Sequence, residues 1–243
     1  MYGLPLPADF QGRRTAGAEG GDRPLPQGPE HTMSTRVKFC GLTRGPDVLA
    51  AIECGVHALG FNLARGPRRI GLEQAAELCR LVPPMVATVA LFVDADEEGM
   101  LSAAARLRAS ALQLHGQESP ELCERLRRRF PVIKAFAVGD RASLEAVRGF
   151  PADAYLLDTA GAGGSGGSGM AWDHRLLAGL DLGRPLILAG GLDAGNVAAA
   201  VRATRPWAVD VASGIESGPG IKDPLRMAAF MAALAAAHLA GAL

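Results

Sequence analysis

The chain has 243 residues, of which 49% are hydrophobic and 21% charged, and its 25 Lys and Arg balance its 25 Asp and Glu. Zero net charge excludes recognition of nucleic acid or an anionic membrane by bulk positive field, because neutralising phosphates takes an excess of Lys and Arg. The composition also excludes a disordered chain and supports a sizeable core in one large domain or two small ones.

In chain order, residues 1–32 come first, with six Gly, five Pro and no periodic apolar pattern. Such a segment cannot bury enough surface to offset its ordering entropy, so a disordered tail is expected, with Met33 as an alternative start and the folded domain over 33–243. From Arg36 onward, short β-rich apolar runs alternate with helical segments. The predicted strands are 37–40, 58–63, 87–93, 111–114, 132–137, 154–157, 185–189 and 208–211. Helices are predicted over 46–54, with Pro in the first turn and Gly55 to end it, over 72–81, over 194–205, and from 225 onward. The final stretch, 227–243, is mostly Ala and interrupted by His238. At that length it is marginal for a bilayer and is expected to be a terminal helix with one buried face, so no membrane partner follows.

Eight βα units in this length predict an α/β fold, a single (β/α)8 TIM barrel. The competitor, a doubly wound open sheet, normally carries a Gly-rich dinucleotide turn after its first strand, and Cys40-Gly41-Leu42-Thr43 lacks one. The four cysteines, Cys40, Cys54, Cys79 and Cys123, include no CxxC pair. That spacing suggests neither disulfides nor a zinc ribbon, and with no secretory signal a reducing cytoplasm is expected. Cys54, Cys79 and Cys123 read as buried small hydrophobes on helices. The five His show no HxH or HExxH spacing, so no metal is expected.

In a barrel the active site lies where strands end. The first strand ends in Lys38-Phe39-Cys40-Gly41-Leu42-Thr43, the fourth in Gln113-Leu114-His115-Gly116, and the sixth in Leu156-Leu157-Asp158-Thr159 before a glycine-rich loop. The seventh ends in Ala189-Gly190-Gly191-Leu192, and the eighth in Asp210-Val211-Ala212-Ser213-Gly214-Ile215-Glu216, continuing to Pro219-Gly220. Gly190, Gly191, Ser213 and Gly214 occupy the two loops where barrels commonly bind phosphate through backbone N–H groups.

This ordered set, together with Gly166-Gly167-Ser168-Gly169, resembles the phosphoribosylanthranilate isomerase family over essentially all of 35–243. The resemblance implies a cofactor-free enzyme acting on a small phosphorylated substrate in tryptophan biosynthesis. It also implies Cys40 as general base, Asp158 as general acid and Arg68 as the cation for the anthranilate carboxylate, with Arg65 and Arg69 as neighbouring alternatives. Asp210 is expected to orient neighbouring groups or bond within the barrel core, and His115 to position rather than catalyse. Lys38, nearby amides or other cationic groups are expected to favour the Cys40 thiolate. After Gly169 the family usually has Lys, where this chain has Met170. Another phosphosugar isomerase or lyase, or a phosphate-ligand sensor, would share the glycine loops without needing both Cys40 and Asp158. Monomer and homodimer both remain open.

Overall fold

Side chains alternate sides along a strand, and in the first strand that alternation separates two environments. Phe39 points outward and meets Phe230 edge-on, with ring centroids 6.2 Å apart. Its neighbours Lys38 and Cys40 therefore point inward. The computed structural model describes residues 35–138, 144, 147–158 and 181–239. The expected tail, the 161–169 loop and Met170 lie outside the described residues.

The strands are β1 (Arg36–Cys40), β2 (Ala58–Asn62), β3 (Ala87–Phe92), β4 (Ala111–Leu114), β5 (Val132–Ala137), β6 (Ala154–Asp158), β7 (Leu186–Ala189) and β8 (Ala208–Val211). They close into one barrel in sequence order. The seam is parallel, with Lys38 opposite Asp210 on β1 and β8. This closure eliminates the open doubly wound sheet. The described helices are α1 (Gly45–Glu53), α2 (Leu72–Cys79), α3 (Glu97–Leu107), α4 (Pro120–Arg127), α5 (Val197–Thr204) and α6 (Pro224–Leu239).

Two apolar layers hold the fold. Outward-facing residues such as Phe39, Leu59, Phe61 and Leu112 join Met100, Leu126, Val201 and Phe230 from the helices in one large cluster. A smaller cluster of Ala135, Leu156, Ile187, Ala189 and Ala208 fills the inside of the barrel. Small interior residues leave room near the strand ends for polar side chains, which is where the site forms.

Strand and helix ends follow local hydrogen bonding. β2 stops at Asn62, one residue short of expectation, because the Asn62 side chain accepts from Ala64 N at 2.8 Å and donates to Arg65 O at 3.0 Å, turning the chain. Gly55 sits at φ +75 just after α1, the left-handed conformation that suits glycine at a helix end. The last predicted internal helix starts late, at Val197, because the Asp193 carboxylate accepts from Gly195 N and Asn196 N and holds that stretch as a turn. A two-stranded hairpin, β9 (Glu216–Gly218) and β10 (Ile221–Lys222), follows β8 and has no counterpart among the predicted elements.

The three remaining cysteines are not alike. Cys123 is buried on α4, whereas Cys54 and Cys79 are half-buried, and Cys54 lies just past the end of α1. Their expected burial as a group is corrected accordingly: Cys54 and Cys79 sit at the solvent edge of the helix layer. Burial pushes the Cys79 and Cys123 thiols up to about 11, which leaves them protonated and unreactive at neutral pH. Among the described residues no helix is long and apolar enough to cross a membrane.

Candidate active site

Cys40 ends β1 and is 8% exposed, opposite Gly60 of β2. A side chain at position 60 would place its Cβ 2.9 Å from the Cys40 Sγ and 3.0 Å from the Lys38 Nζ. Gly60 is therefore the gap that lets the thiol and the ammonium share one space. Lys38 donates to Asp210 Oδ1 at 2.9 Å across the β1–β8 seam and lies beside the Cys40 thiol over Gly60. Burial pushes the Cys40 thiol up, Asp210 adds to that, and Lys38 and Lys222 pull it back, leaving it raised overall. Lys38 itself is held above its ordinary value, because Asp210 and Cys40 outweigh the effect of burial. Asp210 and Lys38 thus form a buried ion pair beside the thiol.

Arg68 leans over the same rim from the loop after β2. Gly41 adopts φ +75 directly after Cys40, and a Cβ there would collide with the Arg68 side chain. The guanidinium donates twice to Glu216, from Nε to Oε1 at 2.8 Å and from Nη2 to Oε2 at 2.7 Å. A fork held on one edge keeps its other donors pointing in a fixed direction, which suits two-point binding of a carboxylate. Arg65 and Arg69 are exposed, while Arg68 is half-buried and anchored. Glu216 also accepts from the fully buried Lys222 Nζ at 2.8 Å. Neither Glu216 nor Lys222 was singled out by chemistry in the sequence, although Glu216 stands inside the Ser-Gly-Ile-Glu motif.

Asp158 closes β6 on another arc of the rim, separated from β1 by β7 and β8. His115, just after β4, brings its Nε2 to 3.5 Å from Asp158 Oδ2. The buried Gln113 approaches the other ring nitrogen, with Nε2 at 3.3 Å from His115 Nδ1. An amide hydrogen donated by Gln113 to Nδ1 goes with the tautomer whose Nε2–H faces Asp158. A buried pin holds this loop. Lys134 of β5 donates to Gly116 O at 2.7 Å and pairs with Glu118 at 3.1 Å, and Glu118 accepts from the Asp94 and Gly116 amides.

The two glycine loops meet beside this rim. Gly190 and Gly191 take φ +92 and +63 in succession after β7. Ser213 and Gly214 open a single 3-10 turn after β8, and a Cβ on Gly214 would collide with the Leu192 carbonyl. The loops therefore touch backbone to backbone, with exposed Ser213 and Gly191 on their outer side. Asn196 ties the first loop down by donating to Gly191 O at 2.8 Å. Closely packed amides at the start of a helical turn are a geometry that can receive an anion.

A thiol, a carboxyl group, an anchored arginine and two touching glycine loops on one barrel rim invite comparison with known enzymes. The family profile described as N-(5'phosphoribosyl)anthranilate (PRA) isomerase matches residues 37–233. The chain belongs to the phosphoribosylanthranilate isomerase family. It is 46% identical over 199 residues to the N-(5'-phosphoribosyl)anthranilate isomerase of Desulforudis audaxviator, covering 81% of this chain and 96% of the relative. The phosphoribosylanthranilate isomerase of Thermotoga maritima superposes with a TM-score of 0.78 at 38% identity, covering 83% of this chain and 99% of that one. A further phosphoribosylanthranilate isomerase structure, in complex with reduced 1-(o-carboxyphenylamino)-1-deoxyribulose 5-phosphate, gives a TM-score of 0.74 at 36% identity, with 83% and 99% coverage. Within this isomerase the rim gathers Cys40, Arg68, His115, Asp158, Gly190, Gly191, Asp210, Ser213 and Gly214 onto the ends of β1, β2, β4, β6, β7 and β8 or the loops leaving them.

Proposed function

We propose that this chain, an isomerase of tryptophan biosynthesis, converts N-(5-phosphoribosyl)anthranilate to 1-(2-carboxyphenylamino)-1-deoxyribulose 5-phosphate with Cys40 as base and Asp158 as acid. Asp158 gives a proton to the ribose ring oxygen as the C1–O bond breaks, and the anilino nitrogen lone pair forms the C1=N bond. Cys40, as thiolate, removes the proton from C2, and the electron pair forms the C1=C2 enolamine. The 2-hydroxyl then loses its proton and C1 gains one, leaving the ketone. The proton lost by Asp158 equals the proton gained by Cys40, so the pair resets by returning one proton. Acid and base on facing groups account for such an isomerisation without a cofactor.

The observation that carries this reading is the placement of Lys38 and Gly60 around Cys40. Burial and Asp210 push the thiol up, and the Lys38 ammonium beside it works against that push, toward the thiolate that a base must become. Arg68 supplies the carboxylate contact, and the amides of Gly190, Gly191, Ser213 and Gly214 supply the phosphate contact. Asp210 sets Lys38, and His115 sets Asp158. The reducing cytoplasm suits a base that works only as a free thiol.

The test is direct. Purified protein mixed with freshly formed phosphoribosylanthranilate should consume it, followed as loss of anthranilate-type fluorescence. Cys40→Ser and Asp158→Asn should each lower turnover by at least about two orders of magnitude while keeping the fold. A near-normal rate in either variant removes that residue from the mechanism.

A further inference from the structure

Lys222 is the largest charged side chain in the barrel region with no exposure, and the reaction as written gives it nothing to do. Its three ammonium hydrogens have three acceptors: Cys40 O at 2.6 Å, Ala212 O at 2.9 Å and Glu216 Oε1 at 2.8 Å. A neutral amine has only two N–H groups and a lone pair seeking a donor, so this set matches the charged form. The backbone of the same residue is fixed as well. Lys222 N donates to Asp47 Oδ2 at 3.1 Å, and Asp47 is clamped in turn by Arg44 at 3.0 and 2.6 Å.

Glu216 joins this cation to Arg68. Its Oε1 accepts from both Lys222 Nζ and Arg68 Nε, each at 2.8 Å, and its Oε2 accepts from Arg68 Nη2 at 2.7 Å. One carboxylate thus stands between the residue that holds Cys40 and the residue that faces the substrate carboxylate. We propose that Lys222 is a positioning residue that holds the Cys40 main chain and biases its thiol toward thiolate, and that Glu216 couples this grip to Arg68. The inference rests on Cys40 being the base.

The other charges around the thiol come from every neighbouring element: Lys38 on β1, Asp210 on β8, Arg68 after β2, and Glu216 on the hairpin. β2 contributes only Gly60 at this level. Lys38 is already committed to Asp210, which offsets its charge. Lys222 is likewise offset by Glu216, so removing either member of that pair moves the thiol in opposite directions.

The experiment measures alkylation of Cys40 by iodoacetamide across pH 6–10 in the full chain, read on the Cys40 peptide by mass spectrometry. Cys54 and Cys79 are thereby scored separately. For Lys222→Met the Cys40 rate at neutral pH should fall about tenfold and its pH midpoint should rise. For Glu216→Gln, which keeps the shape and one acceptor oxygen, the rate should increase and the midpoint should fall, while KM for substrate rises as Arg68 loses its anchor. Loosened packing alone would speed alkylation in both variants, and that outcome overturns the proposal. An unchanged midpoint in folded Lys222→Met overturns it too. If Lys222→Met does not fold, the sign for Glu216→Gln decides. Alkylation needs no turnover, so normal activity in Cys40→Ser would sink the base assignment while leaving this result readable on its own.

Discussion

Lys38 and Asp210 face each other across the seam where the barrel closes, Nζ to Oδ1 at 2.9 Å, with both side chains at least nine-tenths buried. They act on Cys40 with opposite sign: Asp210 raises the thiol and Lys38 lowers it. A base must be deprotonated to work, so kcat/KM rises with pH until the thiol has ionised. Asp210→Asn should move that rise to lower pH by about one unit, and Lys38→Met should move it higher by a similar amount. pH–rate profiles on the folded fraction check both signs. Breaking the pair also leaves a buried charge alone, so each variant should lose about 3–5 kcal/mol in chemical denaturation.

Gly60 makes a sharper test, because it carries no chemistry of its own. Gly60→Ala adds a Cβ 2.9 Å from the Cys40 Sγ. The sulfur sits on a short side chain at a strand end and must move. A displacement of even a fraction of an ångström at a base should lower kcat by about tenfold to a hundredfold. The melting temperature should fall as well, since the Lys38 ammonium, 3.0 Å from that Cβ, is held by Asp210 and has little freedom to move away. Steady-state kinetics alongside a thermal melt separates the two; full activity in the variant would mean that the thiol has room to spare.

At the phosphate loops, the contact between Gly214 and Leu192 is backbone against backbone and cannot relax by a rotamer change. Gly214→Ala should push the two loops apart, raise KM for substrate by at least about tenfold, and abolish competitive inhibition by inorganic phosphate. Retained phosphate inhibition would transfer the anion site elsewhere.

The Glu216 carboxyl links the site to stability. Burial alone would raise it, but Arg68 and Lys222 outweigh burial and hold it below its ordinary value of 4.5. The native state therefore gives up that proton at a lower pH than the unfolded chain does. Between the two values the unfolded chain binds more protons, so stability is fully present above the ordinary value and is lost as pH falls through the native one. Denaturant titrations at pH 7 and pH 4 should show a larger loss for the native sequence than for Glu216→Gln.

How far these features were legible in the sequence follows from their range. Each barrel strand is a short local run rich in apolar residues, and its ends came within one residue of the sequence reading, as at Asn62 and Asp158. Cys40, Asp158 and the glycine loops drew attention through the family resemblance, which was legible because each end-of-strand motif is a run of consecutive residues. The hairpin escaped because strands of three and two residues carry no period to detect. Lys222 escaped for a related reason: its partners Cys40 and Ala212 offer only backbone carbonyls, which every residue has, and Cys40 is 182 positions away. Lys134 and Glu118 read equally well as surface charges, and only their mutual burial distinguishes them.

The hairpin also fixes an order of events. Cys40 belongs to the first strand of the barrel, whereas Lys222 follows the last strand of the barrel. On a ribosome the thiol emerges long before the residue that grips it, and before Asp210, which sets Lys38. A nascent or truncated chain ending ahead of the hairpin carries the Cys40 thiol without its full electrostatic setting. Reactivity at Cys40 is therefore a late property of synthesis, acquired when the two ends of the barrel meet.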